Sequence, residues 1–309
     1  MVSQTKLKVR HCVIKLILDS GSFPSGDEDN PAIKTIYSNS DNNSLAIEAL
    51  ISKQEGFMAN RADIRITGMN KSDIEAFSRF KMYVNTPVAS NYVEVYAGYD
   101  LNSDGLPPFI YKGTVLTAYP DYNDPNRPFI IASLTGFSTQ NATAKAVNLK
   151  GTITLDDLLR NIISNYGGFS YRPYMRFDTV VRNANYDGSL DEQLDKICKH
   201  YGLIHKQSDD GRSILVTKIG MPYLQEQLTI SSDNYLLGYP IVMDTAIMLK
   251  VRFTPAIQFG QKLSIKSYMS LANGDNWYIN SIVHHLQTQG DSWESILVVQ
   301  SFPTGVQNG

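Results

Sequence analysis

Cysteine is almost absent from this chain: Cys12 and Cys198 are the only two in 309 residues, and they stand far apart. That excludes a disulfide framework and a cysteine zinc site, and it fits a chain made in a reducing compartment, with each thiol in the core of a different unit. Charge is also scarce, at 19% of residues with a formal net charge of -2. No overall field therefore draws the chain to nucleic acid or to an anionic membrane. No apolar run approaches the ~18 residues of a membrane span. At the amino end Lys6, Lys8 and Arg10 precede an apolar stretch, but Lys15 breaks it and no small-residue cleavage site follows. Residues 6–18 read as an alternating strand, not a signal peptide. The phosphate-loop Gly-Lys-Ser/Thr, the Gly-x-Ser-x-Gly elbow and the His-Glu-x-x-His helix are missing too.

What is present is a 42% hydrophobic chain long enough for two to four compact units. The stretch Gly21 to Asn43, rich in Ser, Asn, Asp and Pro, reads as a long loop that orders only on assembly. Next, Ala62, Ile64 and Ile66 alternate with Asp63, Arg65 and Thr67, the pattern of a half-buried strand. Ser72-Asp-Ile-Glu75 predicts a capping box and a helix to about Met82, with Ile74, Phe77 and Phe80 or Lys81 on one side. Strands follow at 92–100, 109–119 and 129–136.

The middle of the chain holds two copies of one helix design. Thr154 to Gly167 and Ser189 to Gly202 each have a hydroxyl cap, an acidic first turn and a terminal Tyr-Gly. Leu155, Leu158, Leu159, Ile162, Ile163 and Tyr166 form one apolar stripe, and Leu190, Leu194, Ile197, Cys198 and Tyr201 the other. A hairpin follows around Asp209-Asp-Gly211. Two occurrences are too few for a solenoid, which needs about three stacked units.

Candidate chemistry is thin. His284 and His285 are adjacent, so on a strand they face opposite ways and cannot share a metal. His200 and His205 fit a helix carboxyl end or solvent. Asp156-Asp157 and Asp191-Glu192 sit in first helical turns, where capping accounts for them and where they do not converge on one glycosidic bond. The 18 Tyr and two Trp lack interleaved basic residues, which suits barrel packing and subunit interfaces better than a nucleic-acid groove. No catalytic, cofactor or metal residue is assigned.

The last quarter carries a more specific signal. Gly238 and Pro240 lead into a strand with Pro255, then the Gly260 turn, a strand ending at Ser267, and His284 nine residues before Trp293. This order resembles the end of bacteriophage tail baseplate hub proteins. The Gly-Asp that many relatives carry soon after the His stands later here, at Gly290-Asp291. The first half matches through Asn60, Ala97-Gly98-Tyr99 and Tyr111-Lys-Gly113-Thr-Val115, and the middle through its two helices, ending at Gly167 and Gly202, and its hairpin. The resemblance implies an α+β, mainly β fold with two tail-tube-like barrels, in residues 1–150 and 220–309, flanking a small α/β domain at 151–219. It also implies a structural protein of the virion tail, made in the host cytoplasm. Three copies would form a pseudo-sixfold ring joining a hexameric tail tube to a trimeric spike, in contact with surrounding baseplate proteins. The ring would pass the tape measure protein and then DNA, and a closed ring would cover the open sheet edges. The alternatives are a hub of a type VI or other contractile injection system, whose subunits usually continue past the point where this chain ends, a tail-tip cell-wall hydrolase, and a carbohydrate-binding module.

Overall fold

The computed structural model describes residues 9–38, 45–54, 59–78, 91–135, 145–166, 168–209 and 211–303. The fold is mainly β. The first part of the chain supplies β1 (His11–Ile17), β2 (Ile33–Tyr37), β3 (Ala46–Gln54), β4 (Arg61–Thr67), β5 (Tyr92–Gly98), β6 (Phe109–Pro120) and β7 (Phe129–Leu134). They pair antiparallel in the order β3-β4-β7-β6-β5-β1-β2. Alternation decides which face is buried: Ala62, Ile64 and Ile66 of β4 are fully buried, while Asp63 and Arg65 face out.

The stretch read as a long loop contains a strand where it is described. Its residues 33–37 are β2, paired with β1, and Phe23 is buried. The connection is held from within, with Thr35 donating to Asp27 through both its amide and its hydroxyl. Ser25 Oγ donates to Asp73 Oδ2 at 2.5 Å, and Lys34 Nζ lies 3.6 Å from the same carboxylate. Residues 39–43 of the expected loop lie outside the described residues.

Asp73 belongs to α1 (Lys71–Phe77), which differs from its expectation. Asn70 is the cap residue and Ser72 lies inside the first turn, so no capping box forms, and the helix closes at Ser78. The rest of that prediction, including Phe80, Lys81 and Met82, falls outside the described residues.

The middle segment contains β8 (Val147–Asn148), β9 (Thr152–Thr154), α2 (Leu155–Tyr166), β10 (Ser170–Pro173), β11 (Val180–Arg182), β12 (Asn185–Tyr186), α3 (Leu190–Tyr201), β13 (Leu203–Gln207) and β14 (Ser213–Lys218). Both helices start as their sequences dictate. Thr154 Oγ1 accepts from the amide of Asp157, and Ser189 and Glu192 form a reciprocal capping box. Gly202 closes α3 in the left-handed conformation at φ 66°. Gly167 lies outside the described residues, as do the side chain of Tyr166 and the whole of Asp210 in the hairpin turn. Leu155, Leu158, Leu159, Ile162 and Ile163 pack against Leu190, Leu194, Ile197 and Cys198 in a core that also takes Val147. Removing the α3 cap by Ser189→Ala is expected to cost about 1 kcal/mol in a denaturant titration.

The last part supplies β15 (Gln227–Ser231), β16 (Ile241–Val242), β17 (Ile247–Arg252), β18 (Lys262–Lys266), β19 (Gly274–Gln287) and β20 (Trp293–Ser301). Their order is β16-β17-β20-β19, with β18 beside the first part of β19 and β15 parallel to β18. Pro255 stands in the turn after β17, not in a strand.

Two exposed edges are capped by the chain itself. Asp27 covers β2, accepting at Thr35 and donating its own amide to Ile33 O. Asn234 covers β15, accepting from the amide of Ser231 and donating to Thr229 O. At these two places part of the strand edge is satisfied within the chain itself.

Candidate functional site

The two sheets meet on β19. This strand of 14 residues pairs with β20 along most of its length, while its other edge is shared. β18 takes the start, and β3 takes Ser281 to Gln287 in seven residue pairs. A bulge at Asn280, where the β20 register shifts between Ile279 and Ser281, falls next to the change of partner. One continuous sheet therefore runs through both ends of the chain.

Aromatic rings cross the junction. Tyr99 packs edge-on against Trp293 at 6.3 Å, Trp293 against Phe253 at 5.5 Å, and Phe253 against His284 at 5.3 Å. Phe253, Leu286 and Trp293 thereby join the core built mainly by the first half. Arg10 closes the other side: its guanidinium donates to Gly290 O at 2.7 Å and lies 5.8 Å from the Trp293 ring centre. The late Gly290-Asp291 turn is thus held by the first half.

His284 is fully buried, with Nδ1 2.7 Å from Ser295 Oγ and Nε2 without a hydrogen-bond partner among the described residues. Burial, and secondarily the charge of Lys53, hold its pKa well below the ordinary 6.5. In the unfolded chain the imidazole takes a proton near 6.5, so below that pH the unfolded state binds more protons than the folded one. Stability contributed by the neutral ring is complete above 6.5 and falls as pH drops toward the folded value. Between pH 7 and about pH 5, the stability loss should be smaller in His284→Gln than in the wild type, measured by denaturant titration at each pH.

A polar cluster ties in the middle segment. The Lys53 ammonium, on the inward side of β3, is 97% buried and donates to Asp209 Oδ2 at 2.6 Å and to Ile110 O at 3.0 Å. Asn60 Nδ2 donates to Asp209 Oδ1 at 3.2 Å. Lys206 donates to Gln54 O and lies 4.1 Å from the Phe259 ring centre. Beside these groups is a cavity of about 210 Å³, lined by Lys53, Asp209, Pro255, Phe259 and His284 among others.

The structure brings Asn60, Tyr99, Pro255, His284 and Trp293 to this junction. The remaining residues singled out in the sequence shape local backbone. A side chain at Gly113 would run into the Tyr111 hydroxyl, which is itself 3.1 Å from Ser133 Oγ. Gly260 has φ +73°, and a Cβ there would come within 2.6 Å of Tyr223 Cβ. Gly98 ends β5, Gly238 and Pro240 lead into β16, and Ser267 closes the loop after β18. Lys53, Asp209, Phe253 and Arg10 were not anticipated. Lys53 left one legible trace, a lysine in phase with the buried Ile47, Ala49 and Ile51.

The other candidates serve local structure. His285 pairs with Glu48 at 3.0 Å, on the opposite side of β19 from His284. His205, expected at a helix end or in solvent, is buried and bonds Asp195 at 2.8 Å, whereas His200 packs against Tyr201. Asp156 accepts from Tyr171 and Arg160, and Asp157 and Glu192 serve the helix caps. Both cysteines are free and buried, and burial raises each thiol pKa to about 12. Among the described residues no cluster of three potential metal ligands occurs, and no helix is long and apolar enough to cross a membrane.

The fold has solved counterparts. The 43 kDa tail protein of prophage MuSo2 from Shewanella oneidensis is similar with a TM-score of 0.57 at 11% identity, covering 93% of this chain and 96% of that one. A tail protein from Neisseria meningitidis MC58 gives 0.53 at 10% identity, covering 83% and 96%. The E. coli c3393 protein is a component of the type VI secretion system, described as structurally similar to the T4 bacteriophage tail proteins gp27 and gp5. It gives 0.51 at 9% identity, covering 84% and 74%. No curated protein matches the sequence. The family described as baseplate hub gp41 matches residues 32–297, which is most of the chain and includes the β3–β19 ladder, so this protein belongs to the baseplate hub gp41 family.

Proposed function

We propose that this chain is the hub subunit of a phage tail baseplate and works as a homotrimer. Each copy would contribute two tube-like barrels, from residues 1–150 and 220–309, with the α/β unit of 151–219 between them. Three copies would then present six similar units to a hexameric tube while keeping threefold symmetry toward a spike. The observation that carries this reading is the antiparallel β3–β19 ladder, which fuses two sheets side by side in one chain. Each sheet also turns back on itself: Leu45, just before β3, donates its amide to Tyr37 O at the end of β2. In the second sheet, Leu237 donates to Lys250 O and Arg252 to Tyr235 O, which brings the segment after β15 beside β17.

The role is structural and the ring passive. A near-neutral chain suits a bore through which a tape measure protein and then DNA pass without being held. Surrounding baseplate proteins would bind outside it, in a virion assembled in the host cytoplasm. The likeness to a type VI secretion component keeps a second reading, the hub of another injection system. Pull-down of a separate spike protein encoded with this chain would favour the phage reading. Light scattering tests the oligomer: the expected mass is three times the 34.5 kDa chain, and a single-chain mass that persists with tube and spike proteins present would remove the proposal.

A further inference from the structure

We infer that copies of this chain join through a rigid apolar knob on the last part of one copy and a groove on the first part of the next; this rests on the ring reading above. The knob is the loop between β18 and β19. Ser267 donates its amide to Asn273 Oδ1 at 2.6 Å, Asn273 Nδ2 donates to Ser267 O at 3.0 Å, and the Met269 amide donates to Ser267 Oγ at 3.2 Å. Ala272 anchors the loop in the core. The result is a closed loop holding Tyr268 and Leu271 outward, 81% and 79% exposed, the most exposed large apolar residues among those described. A loop already fixed by its own bonds loses little freedom when it docks.

Register puts more apolar surface at the same end. Ile265 of β18 pairs with Gly274 of β19, Trp277 with Ser301, and Val299 with Ile247, which itself pairs with Val242. Ile241, Val242 and Met243, each at least half exposed, therefore share the end of the sheet that bears the loop. Tyr268, Leu271, Ile241, Val242 and Met243 together give this end of the sheet an exposed apolar surface.

The matching groove lies on the first part of the chain, where His11, Val13, Tyr37 and Leu101 line a space of about 280 Å³. Tyr37 and Leu101 stay partly exposed there, and the space suffices for one leucine or tyrosine side chain. A knob and a groove on different parts of one chain make a heterologous contact, which a rotation closes into a ring; a patch meeting its own copy would close at two. Asp27 and Asn234 occupy backbone groups on the edges of β2 and β15, so at those two edges side-chain docking between copies is favoured over strand addition.

The test uses Leu271→Asp and Leu101→Asp singly, and a Leu101→Cys, Leu271→Cys double variant. Each aspartate variant should lose the three-chain species by light scattering while keeping its circular dichroism spectrum, since both residues are exposed. The double cysteine variant, made with Cys12→Ser because Cys12 also lines the groove, should give two- and three-chain bands on a non-reducing gel after mild oxidation, with the buried Cys198 silent. A wild type of three chains whose aspartate variants also remain three chains, or whose cysteine pair gives no bond between copies, would overturn the contact and leave the ring standing. A wild type that stays a single chain with tube and spike proteins present would remove the ring itself, and the contact with it.

Discussion

Asp209→Ala is expected to lower stability by about 3–5 kcal/mol, because it strands the Lys53 ammonium in the interior without its counter-charge. Lys53 retains Ile110 O as its remaining acceptor, and a carbonyl does not neutralise a buried cation. The cost arises from the orphaned charge and not from the bond as such, so the reciprocal experiment has a different result. Lys53→Met combined with Asp209→Leu removes both charges and should recover most of the loss, as apolar replacements of buried ion pairs commonly do. A urea titration of the single and double variants measures both. If Asp209→Ala costs under about 1 kcal/mol, the pair behaves as a surface salt bridge and the hairpin tip is not what holds the middle segment in place.

Trp293→Ala should cost a similar amount, about 3–5 kcal/mol, the usual range for truncating a buried aromatic. Trp293 touches Phe253 within its own part of the chain and Tyr99 and Arg10 from the other, so the cavity opens on the seam between the two sheets. Trp293→Phe keeps an aromatic ring and leaves no buried indole N–H to satisfy. It should cost clearly less. Because Tyr99 and Trp293 are in contact across the seam, Tyr99→Ala and Trp293→Ala should combine non-additively in a double-mutant cycle. Strict additivity would mean that the two halves do not share this packing.

How much of this was legible in the sequence follows from whether the determining interactions were local. The two middle helices were, since a hydroxyl cap, an acidic partner three residues on and a terminal glycine are all short-range. The same logic failed at Ser72, where Asn70, two residues earlier, took the cap position. β2 was hidden by composition. Its Lys34 and Thr35 read as loop residues, yet their polar groups are used by Ser25, Asp73 and Asp27, so a strand forms in polar sequence. β3 was not recognised because its apolar alternation, Ile47, Ala49 and Ile51, runs into a lysine. That lysine is neutralised by a carboxylate 156 residues away, a pairing no local pattern contains. Of the junction, the family resemblance pointed to Asn60, Tyr99, Pro255, His284 and Trp293 as positions. It gave no hint that the last two meet through Phe253, or that Arg10 reaches the turn before Trp293.

Electron microscopy of the purified protein, classified without imposed symmetry, should show rings with an open centre and six similar lobes, repeating with threefold symmetry so that alternate lobes are equivalent. Particles with twofold symmetry, or compact particles with no central opening under conditions where the protein is oligomeric, would contradict the threefold ring.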